Sequence, residues 1–354
     1  MSRSIIIMAG GTGGHIFPAL AVADILRSQG WHVTWLGAPH SMEAELVPKH
    51  NFDMVWVRFS GVRGKGLLRK LLLPYNLLVA LWQSAAAILR HRPDVVLGVG
   101  GYITFPGGMM AALLRRPLVI HEQNSIAGLS NKVLARFAQK VLSGFPDVLP
   151  HAIWCGNPVR ADIAALPDPE QRYGARKGRL NVLVVGGSLG AKAINETVPL
   201  ALALLPEVVR PNVIHQTGKQ HLEAVRQSYQ LAGVQADIKP FIDEMAKHYG
   251  NADLVICRAG ALTIAELAAA GVASILIPFP FAVDDHQTYN ARFLSDRGAA
   301  VLLPQSEMTV EKLAQLLHDL TRDKLSVMAQ HARSVAKADA AQRVAQVCAE
   351  LAET

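Results

Sequence analysis

The stretch Ile5-Ile6-Ile7-Met8-Ala9-Gly10-Gly11-Thr12-Gly13-Gly14-His15-Ile16-Phe17-Pro18 limits what this chain can fold into more than any other. Its apolar run, 5–8, reads as a strand of a buried parallel sheet. Four glycines follow within five residues, and 18–26 then sets small and apolar residues at helical spacing, with Pro18 where a first-turn proline is tolerated. Strand, glycine turn, helix is the first unit of a doubly wound α/β sheet. Glycines let backbone approach a ligand, and a helix N-terminus offers unpaired N–H groups and the positive end of a dipole. Together they suit a diphosphate or a sugar hydroxyl.

The spacing argues against a nicotinamide cofactor. A G-x-G-x-x-G fingerprint begun at Gly11 needs glycine at position 16, where Ile16 stands. The second strand, 33–36, runs into Gly37-Ala38-Pro39 and offers no acid for a ribose. The GxxxxGK[ST] phosphate loop is absent. His15, at the mouth of the glycine turn, is open to a structural and a chemical reading. The 354 residues suggest two domains, and 51% hydrophobic against 18% charged residues excludes a disordered chain. A formal charge of +7 favours anionic partners such as phosphates or an acidic membrane surface. No basic stripe interleaved with aromatics suggests nucleic acid. Cys155, Cys257 and Cys348 lack metal spacing and suggest a reducing compartment. No metal motif is expected, since Asp168-Pro169-Glu170 reads as linker, and the opening run is too short for a secretory leader.

The second half restarts the plan, with a strand at 180–185, a glycine turn at 186–191 and a helix from Ala193. Two Rossmann-like domains follow, with a boundary near Arg160. Polar clusters end several predicted strands, where open parallel sheets gather ligand groups. They are Gly100-Gly101-Tyr102, His121-Glu122-Gln123-Asn124, the stretch from Arg258 to Glu266, and the loop 284–290. Residues 104–108 read as a loop before a helix at 109–114, and the closing helices as 310–320 and 329–351. Thr263 and Glu266 keep capping-box spacing, so Glu266 can be a helix-start residue or a ribose acceptor. Ahead of these clusters lies a basic glycine loop, Arg63 to Lys70, and an apolar run from Leu71 to Trp82. Pro74, Asn76, Gln83 and Ser84 interrupt it as a membrane span. As a core helix it would bury Leu78, Leu81, Ala85 and Ile88. Leu72, Leu73, Tyr75, Val79 and Trp82, beside Arg69 and Lys70, would then form a surface resting on anionic lipid.

Seven motifs occur in order: GGTGGHxxPA (10–19), GVGGY (98–102), HEQN (121–124), GNPVR (156–160), GGSxGA (186–191), RAGALTxAE (258–266) and DHQxxNA (285–291). Together they resemble the MurG family of peptidoglycan N-acetylglucosaminyltransferases over nearly the whole chain, with no motif broken. The resemblance implies the GT-B architecture, two Rossmann-like domains facing a cleft. Residues 1–160 would meet the acceptor and the membrane, 161–336 would bind the donor, and a last helix at about 337–354 would pack back on the first domain. It implies inverting transfer of N-acetylglucosamine from UDP-GlcNAc to lipid I, giving lipid II, without a metal or other cofactor. It would work at the cytoplasmic face of the inner membrane, peripherally, beside other cell-wall and division proteins. The donor would meet Thr12, Gly13, Gly14, Asn124, Arg160, Ser188, Ile242, Arg258, Ala261, Leu262, Thr263, Ile264, Ala265, Glu266 and Gln287. Within that set the Ile242 backbone would hold the uracil, Glu266 the ribose, Ser188, Arg258 and the helix start near Ala261 the diphosphate, and Gln287 the sugar. Gly10, Gly11, Gly100, Gly101 and Tyr102 would form the acceptor and diphosphate loops. His15 is the candidate base, or else a hydrogen-bond partner of the donor. Rival readings are a related glycolipid synthase using another UDP-sugar, and a non-catalytic nucleotide-sugar sensor.

Overall fold

The computed structural model describes residues 3–59, 71–187 and 189–353. The chain divides into two compact units, Met1–Val159 with Lys337–Thr354, and Arg160–Ala336. Among the described residues the first unit carries seven parallel strands: β1 (Ser4–Ala9), β2 (His32–Gly37), β3 (Asp53–Trp56), β4 (Val95–Gly100), β5 (Leu118–Glu122), β6 (Lys140–Ser143) and β7 (Ile153–Trp154). Their spatial order is β3-β2-β1-β4-β5-β6-β7. The second unit carries six: β8 (Asn181–Val185), β9 (Asn212–Gln216), β10 (Asp237–Lys239), β11 (Leu254–Cys257), β12 (Ala273–Leu276) and β13 (Ala300–Leu302), ordered β10-β9-β8-β11-β12-β13. The central strands are continuous apolar runs because helices cover both faces of a parallel sheet. Ile5, Ile6, Ile7 and Met8 are buried on both faces of β1.

Strand order reverses beside β1 in one sheet and beside β8 in the other. Such a switch point splays the connections apart beyond the carboxyl strand ends and leaves a crevice for ligands. The glycines of 10–14 in one unit, and Gly186, Gly187 and Gly190 in the other, follow β1 and β8 at these two points.

Four local expectations are corrected. The first helix spans Gly13–Ser28, so Pro18 lies inside it and cannot donate to the Gly14 carbonyl. The turn needs only three residues, which puts Gly13, Gly14 and His15 into the first helical turn. Residues 104–108 are the start of a helix, Thr104–Leu113. Its glycines serve close packing: a Cβ on Gly107 would meet Met8 Sδ at 2.2 Å, and one on Gly108 would meet the Leu134 side chain at 2.8 Å. The apolar helix, Leu73–His91, buries Ala80, Ser84, Ala87 and Ile88, while Leu78 is 67% exposed. Small residues let this helix approach its neighbour more closely than the larger leucines would. The last predicted helix is two, Arg322–Ser334 and Ala340–Leu351, and the chain passes between the units in the break.

Candidate active site

In the first unit the glycine loop is held from behind by Glu43, a fully buried acid. Its Oε2 accepts from the Gly11 N–H at 3.1 Å and its Oε1 from the Ala38 N–H at 3.2 Å. In front, the loop meets the end of β4. Gly101 has φ +88°, and a Cβ there would lie 2.2 Å from the Gly10 carbonyl oxygen. Only glycine allows that approach. Gly10 donates to the Gly100 carbonyl at 3.4 Å, and Thr104 Oγ1 donates to the same carbonyl at 2.8 Å. Gly10, Gly11, Gly100 and Gly101 thus form one knitted rim, with Tyr102 half-buried beside it. Burial and the nearby Glu43 charge raise the Tyr102 pKa. Thr12 is the exposed N-cap of the first helix, and the first-turn amides of Gly13 and Gly14 precede any intrahelical acceptor.

His15 follows, half-buried, with Nδ1 at 2.8 Å from Gln123 Oε1. Gln123 Nε2 donates to the His121 carbonyl at 3.0 Å and lies 3.0 Å from His121 Nδ1. His121 Nε2 lies 2.9 Å from the Gly156 carbonyl oxygen. His121 and Gln123 are each 1% exposed. Burial lowers the His121 pKa below the ordinary histidine range, so the ring is neutral there. Glu122 is structural: it accepts from the Asn124 N–H at 2.9 Å, the Gly128 N–H at 3.0 Å and Asn131 Nδ2 at 2.8 Å. That clasp presents Asn124, half-buried, at the end of β5.

In the second unit the helix Ala261–Ala270 begins after Gly260, with no side chain capping it. Thr263 is therefore its third residue and Glu266 its sixth, which ends the capping-box reading. Glu266 instead packs inward with 12% of its side chain exposed. Its Oε2 accepts from Tyr249 Oη at 3.1 Å, and its Oε1 lies 3.8 Å from Arg160 Nη2. Burial pushes the carboxyl up to about 7 against the opposing pull of Arg160 and Tyr249. Burial and the same carboxyl hold the Tyr249 phenol well above its ordinary pKa. The helix's own hydrogen bonding starts with Ile264, which donates to the Gly260 carbonyl at 3.0 Å. Ile264 is buried and Ala265 half-buried.

Two other donor-side residues are oriented by backbone. Gln287 Oε1 accepts from the N–H groups of Ala259 at 3.2 Å and Phe279 at 3.0 Å, which leaves its NH₂ as the outward group. The Ile242 N–H is donated to Gln216 Oε1 at 3.0 Å, so the backbone group a base can use there is the carbonyl. Gln216 also donates to the Gly187 carbonyl at 3.1 Å and so links this position to the glycine turn. Arg258 departs from a simple reach toward ligand. Its Nη1 donates to the Ile277 and Pro278 carbonyls, both at 3.1 Å, and its Nη2 to Gln305 at 2.6 Å. These acceptors are uncharged, so the guanidinium still projects a positive field. Ser188, Arg69 and Lys70 lie outside the described residues.

The helix Leu73–His91 carries an outward stripe at helical spacing: Tyr75 66%, Leu78 67% and Trp82 71% exposed, with Leu72 beside it. Leu73 and Val79 are half-buried. A cavity of about 450 Å³ opens against this helix, lined by Trp56, Trp82, Gln83 and Arg90 among others. Among the described residues no helix is long and apolar enough to cross a membrane. None of their His, Cys, Asp and Glu side chains group in threes as a metal site would require. The three cysteines are free and buried.

Sequence reasoning missed Glu43, Tyr249 and Gln216 as site-forming residues. Gln123 was visible within the HEQN cluster. The others are single polar residues whose partners Gly11, Glu266, Gly187 and Ile242 lie seventeen or more positions away.

The N-terminal domain model of glycosyltransferase family 28 matches residues 5–143, and the C-terminal domain model matches residues 181–346. The chain is 61% identical over 351 residues to the UDP-N-acetylglucosamine–N-acetylmuramyl-(pentapeptide) pyrophosphoryl-undecaprenol N-acetylglucosamine transferase of Cupriavidus metallidurans, covering 99% of each. It is 60% identical over 353 residues to the protein of the same description from Dechloromonas aromatica, covering 100% of each. Among solved structures it is similar to the crystal structure of Acinetobacter baumannii MurG, with a TM-score of 0.87 and 44% identity over 98% of this chain and 99% of that one. The match spans both parallel sheets, so the fold class is α/β with two Rossmann-like domains of the GT-B type.

Proposed function

The chain belongs to glycosyltransferase family 28, and from that premise we propose that it transfers N-acetylglucosamine from UDP-GlcNAc to the 4-hydroxyl of undecaprenyl-diphosphate-linked N-acetylmuramoyl pentapeptide, lipid I, giving lipid II. The observation that carries this is 61% identity over 99% of both chains with a transferase of that description.

The acceptor oxygen forms a bond to the anomeric carbon as the bond from that carbon to the diphosphate oxygen breaks. UDP departs with the electron pair, and the anomeric centre inverts. The step needs a base for the acceptor proton and a partner for the departing charge. His15 supplies the first through Nε2, since its Nδ1 is committed to Gln123. The positive end of the helix that starts at Ala261 and the field of Arg258 supply the second, without a metal. Turnover unchanged by a chelator is the expected check. On the donor, the Ile242 carbonyl accepts from the uracil N–H, Glu266 from the ribose hydroxyls, and the Gln287 NH₂ donates to the sugar. Arg160 holds Glu266 toward the ribose, and Thr12, Gly13, Gly14 and Asn124 complete the donor contacts. The rim of Gly10, Gly11, Gly100, Gly101 and Tyr102 takes the acceptor diphosphate, the Gly10 and Gly11 N–H groups being spent within the rim on the Gly100 carbonyl and Glu43.

A polyprenyl acceptor stays in its bilayer, so the enzyme must rest on one. The stripe of Leu72, Tyr75, Leu78 and Trp82 fits that use, as does the +7 charge against anionic lipid. Supply of the nucleotide sugar puts the enzyme at the cytoplasmic face. The deciding experiment gives purified enzyme lipid I and a panel of UDP-hexoses and identifies the product by mass. One added N-acetylhexosamine from UDP-GlcNAc, and little product from the other donors, is expected. Equal use of other UDP-hexoses would overturn the assignment of the donor.

A further inference from the structure

We propose that Gln123 is a positioning residue that fixes the tautomer of His15, placing the ring proton on Nδ1 and leaving Nε2 bare to accept the acceptor's proton. The inference rests on the reading of His15 as base.

Two backbone carbonyls set the direction of every hydrogen bond in the chain. A carbonyl oxygen can only accept. The His121 carbonyl, 3.0 Å from the Gln123 amide, therefore demands the NH₂ end of that side chain. Gln123 Oε1 is then the atom facing His15 Nδ1 at 2.8 Å, and an amide oxygen can only accept, so Nδ1 carries the proton. At the other end, the Gly156 carbonyl 2.9 Å from His121 Nε2 puts that ring's proton on Nε2. A neutral His121 then has its lone pair on Nδ1, where Gln123 Nε2 stands 3.0 Å away and donates. Each link of this relay then joins a donor to an acceptor, and reversing any link sets two acceptors or two donors face to face. The environment is rigid as well. A Cβ on Gly100 would lie 2.7 Å from His15 Nδ1 and 3.1 Å from Gln123 Oε1, so the β4 backbone closes over this contact. In a free histidine side chain the Nε2–H form is the commoner tautomer, and that form cannot take a proton at Nε2. The protein must hold the rarer one, as second-group partners do for histidines elsewhere.

Long-range proton–nitrogen NMR of the full-length enzyme tests this, with the His15 signals assigned by their loss in His15→Ala. The expected spectrum shows a protonated Nδ1 and a bare Nε2 at neutral pH. In Gln123→Met the acceptor is gone, His15 shifts toward the Nε2–H form, and kcat falls by roughly 10- to 100-fold, the range seen when metal-bound histidines lose their orienting partner. In Gln123→Glu an oxygen still faces Nδ1, so the Nδ1–H tautomer is kept, although the His121 carbonyl loses its donor. A wild-type His15 in the Nε2–H form, or an unchanged tautomer in Gln123→Met, overturns the proposal, and the wild-type spectrum needs no variant to fold. A tautomer that moves in Gln123→Met while turnover stays whole overturns the base reading instead, and so would full turnover in His15→Ala.

Discussion

Glu266 is a carboxyl poised close to half-ionisation at neutral pH, at about 7. Ribose hydroxyls donate more strongly to a carboxylate than to a neutral acid, because charged acceptors make the stronger bonds. Donor binding should therefore expel a proton, and UDP-GlcNAc affinity should rise from pH 6 to 8 and then level. Titration calorimetry in buffers of different ionisation heat reads that proton directly. Glu266→Gln should abolish the release and weaken binding by about 10- to 100-fold, the equivalent of about 1.5–3 kcal/mol for a charge-assisted bond. The sign for folding is opposite. A carboxyl raised above its ordinary value contributes stability fully present below about pH 4.5 and lost as pH rises through about 7. Without donor, the protein should melt lower at pH 8 than at pH 5, with a shallower slope in Glu266→Gln. The motif made Glu266 legible as a site residue. Its poise was not legible, because it comes from burial that only packing creates, opposed by Arg160 and by Tyr249, seventeen positions away. Glu43 shows the same limit: an acid after β2 looks like a helix start until the loop it braces is seen. Glu43→Ala removes two bonds to a buried charge, and chemical denaturation should record a loss of about 2–4 kcal/mol.

At the scale of the element, the helix Leu73–His91 shows how a correct period can carry a wrong phase. The sequence has apolar residues on every face of its first three turns, so hydrophobicity cannot say which face is inside. The structure chooses the small residues, Ala80, Ser84 and Ala87, with Ile88, and turns Tyr75, Leu78 and Trp82 outward. Close helix packing favours small side chains, and that preference depends on the neighbour rather than on the helix. Leu78, which faces outward, is therefore the position to test for membrane contact, and the half-buried Leu73 is not. Leu78→Glu with Trp82→Glu should release the enzyme from anionic vesicles in a sedimentation assay while leaving its melting temperature nearly unchanged. Ala80→Leu should do the reverse, overpacking the buried face at a cost of about 1–3 kcal/mol with vesicle binding retained. The helix Thr104–Leu113 was hidden for a related reason: Pro106, Gly107 and Gly108 read as loop residues, and the contacts that require glycine there come from Met8 and Leu134.

For the whole molecule, the repeated strand, glycine turn and helix made two sheets legible, because each unit needs its own switch point and each writes it in glycines. The break between the two last helices was not legible, since 335–339 contains neither glycine nor proline. It falls where the chain leaves the second unit, and Ala340–Leu351 then completes the first. Val344, Ala345, Val347 and Cys348 are buried in the core that holds Ile16, Ala19 and Ala23 of the first helix. Burial of the two valines alone is worth about 3–6 kcal/mol, comparable with the whole stability of a small domain. The return also reaches the site. Lys337 packs over Gly156, where a Cβ would lie 2.3 Å from the lysine Cβ, and its Nζ sits 4.4 Å above the Trp154 ring. The Gly156 carbonyl is the one that fixes His121. A chain cut after Ala336 should therefore lose the calorimetric transition of the first unit, or shift it far downward, while the second unit melts as before. If both transitions survive the cut unchanged, the terminal helix is an ornament on the first unit, and the sheet with its own helices is sufficient to hold the glycine rim and the His15 chain.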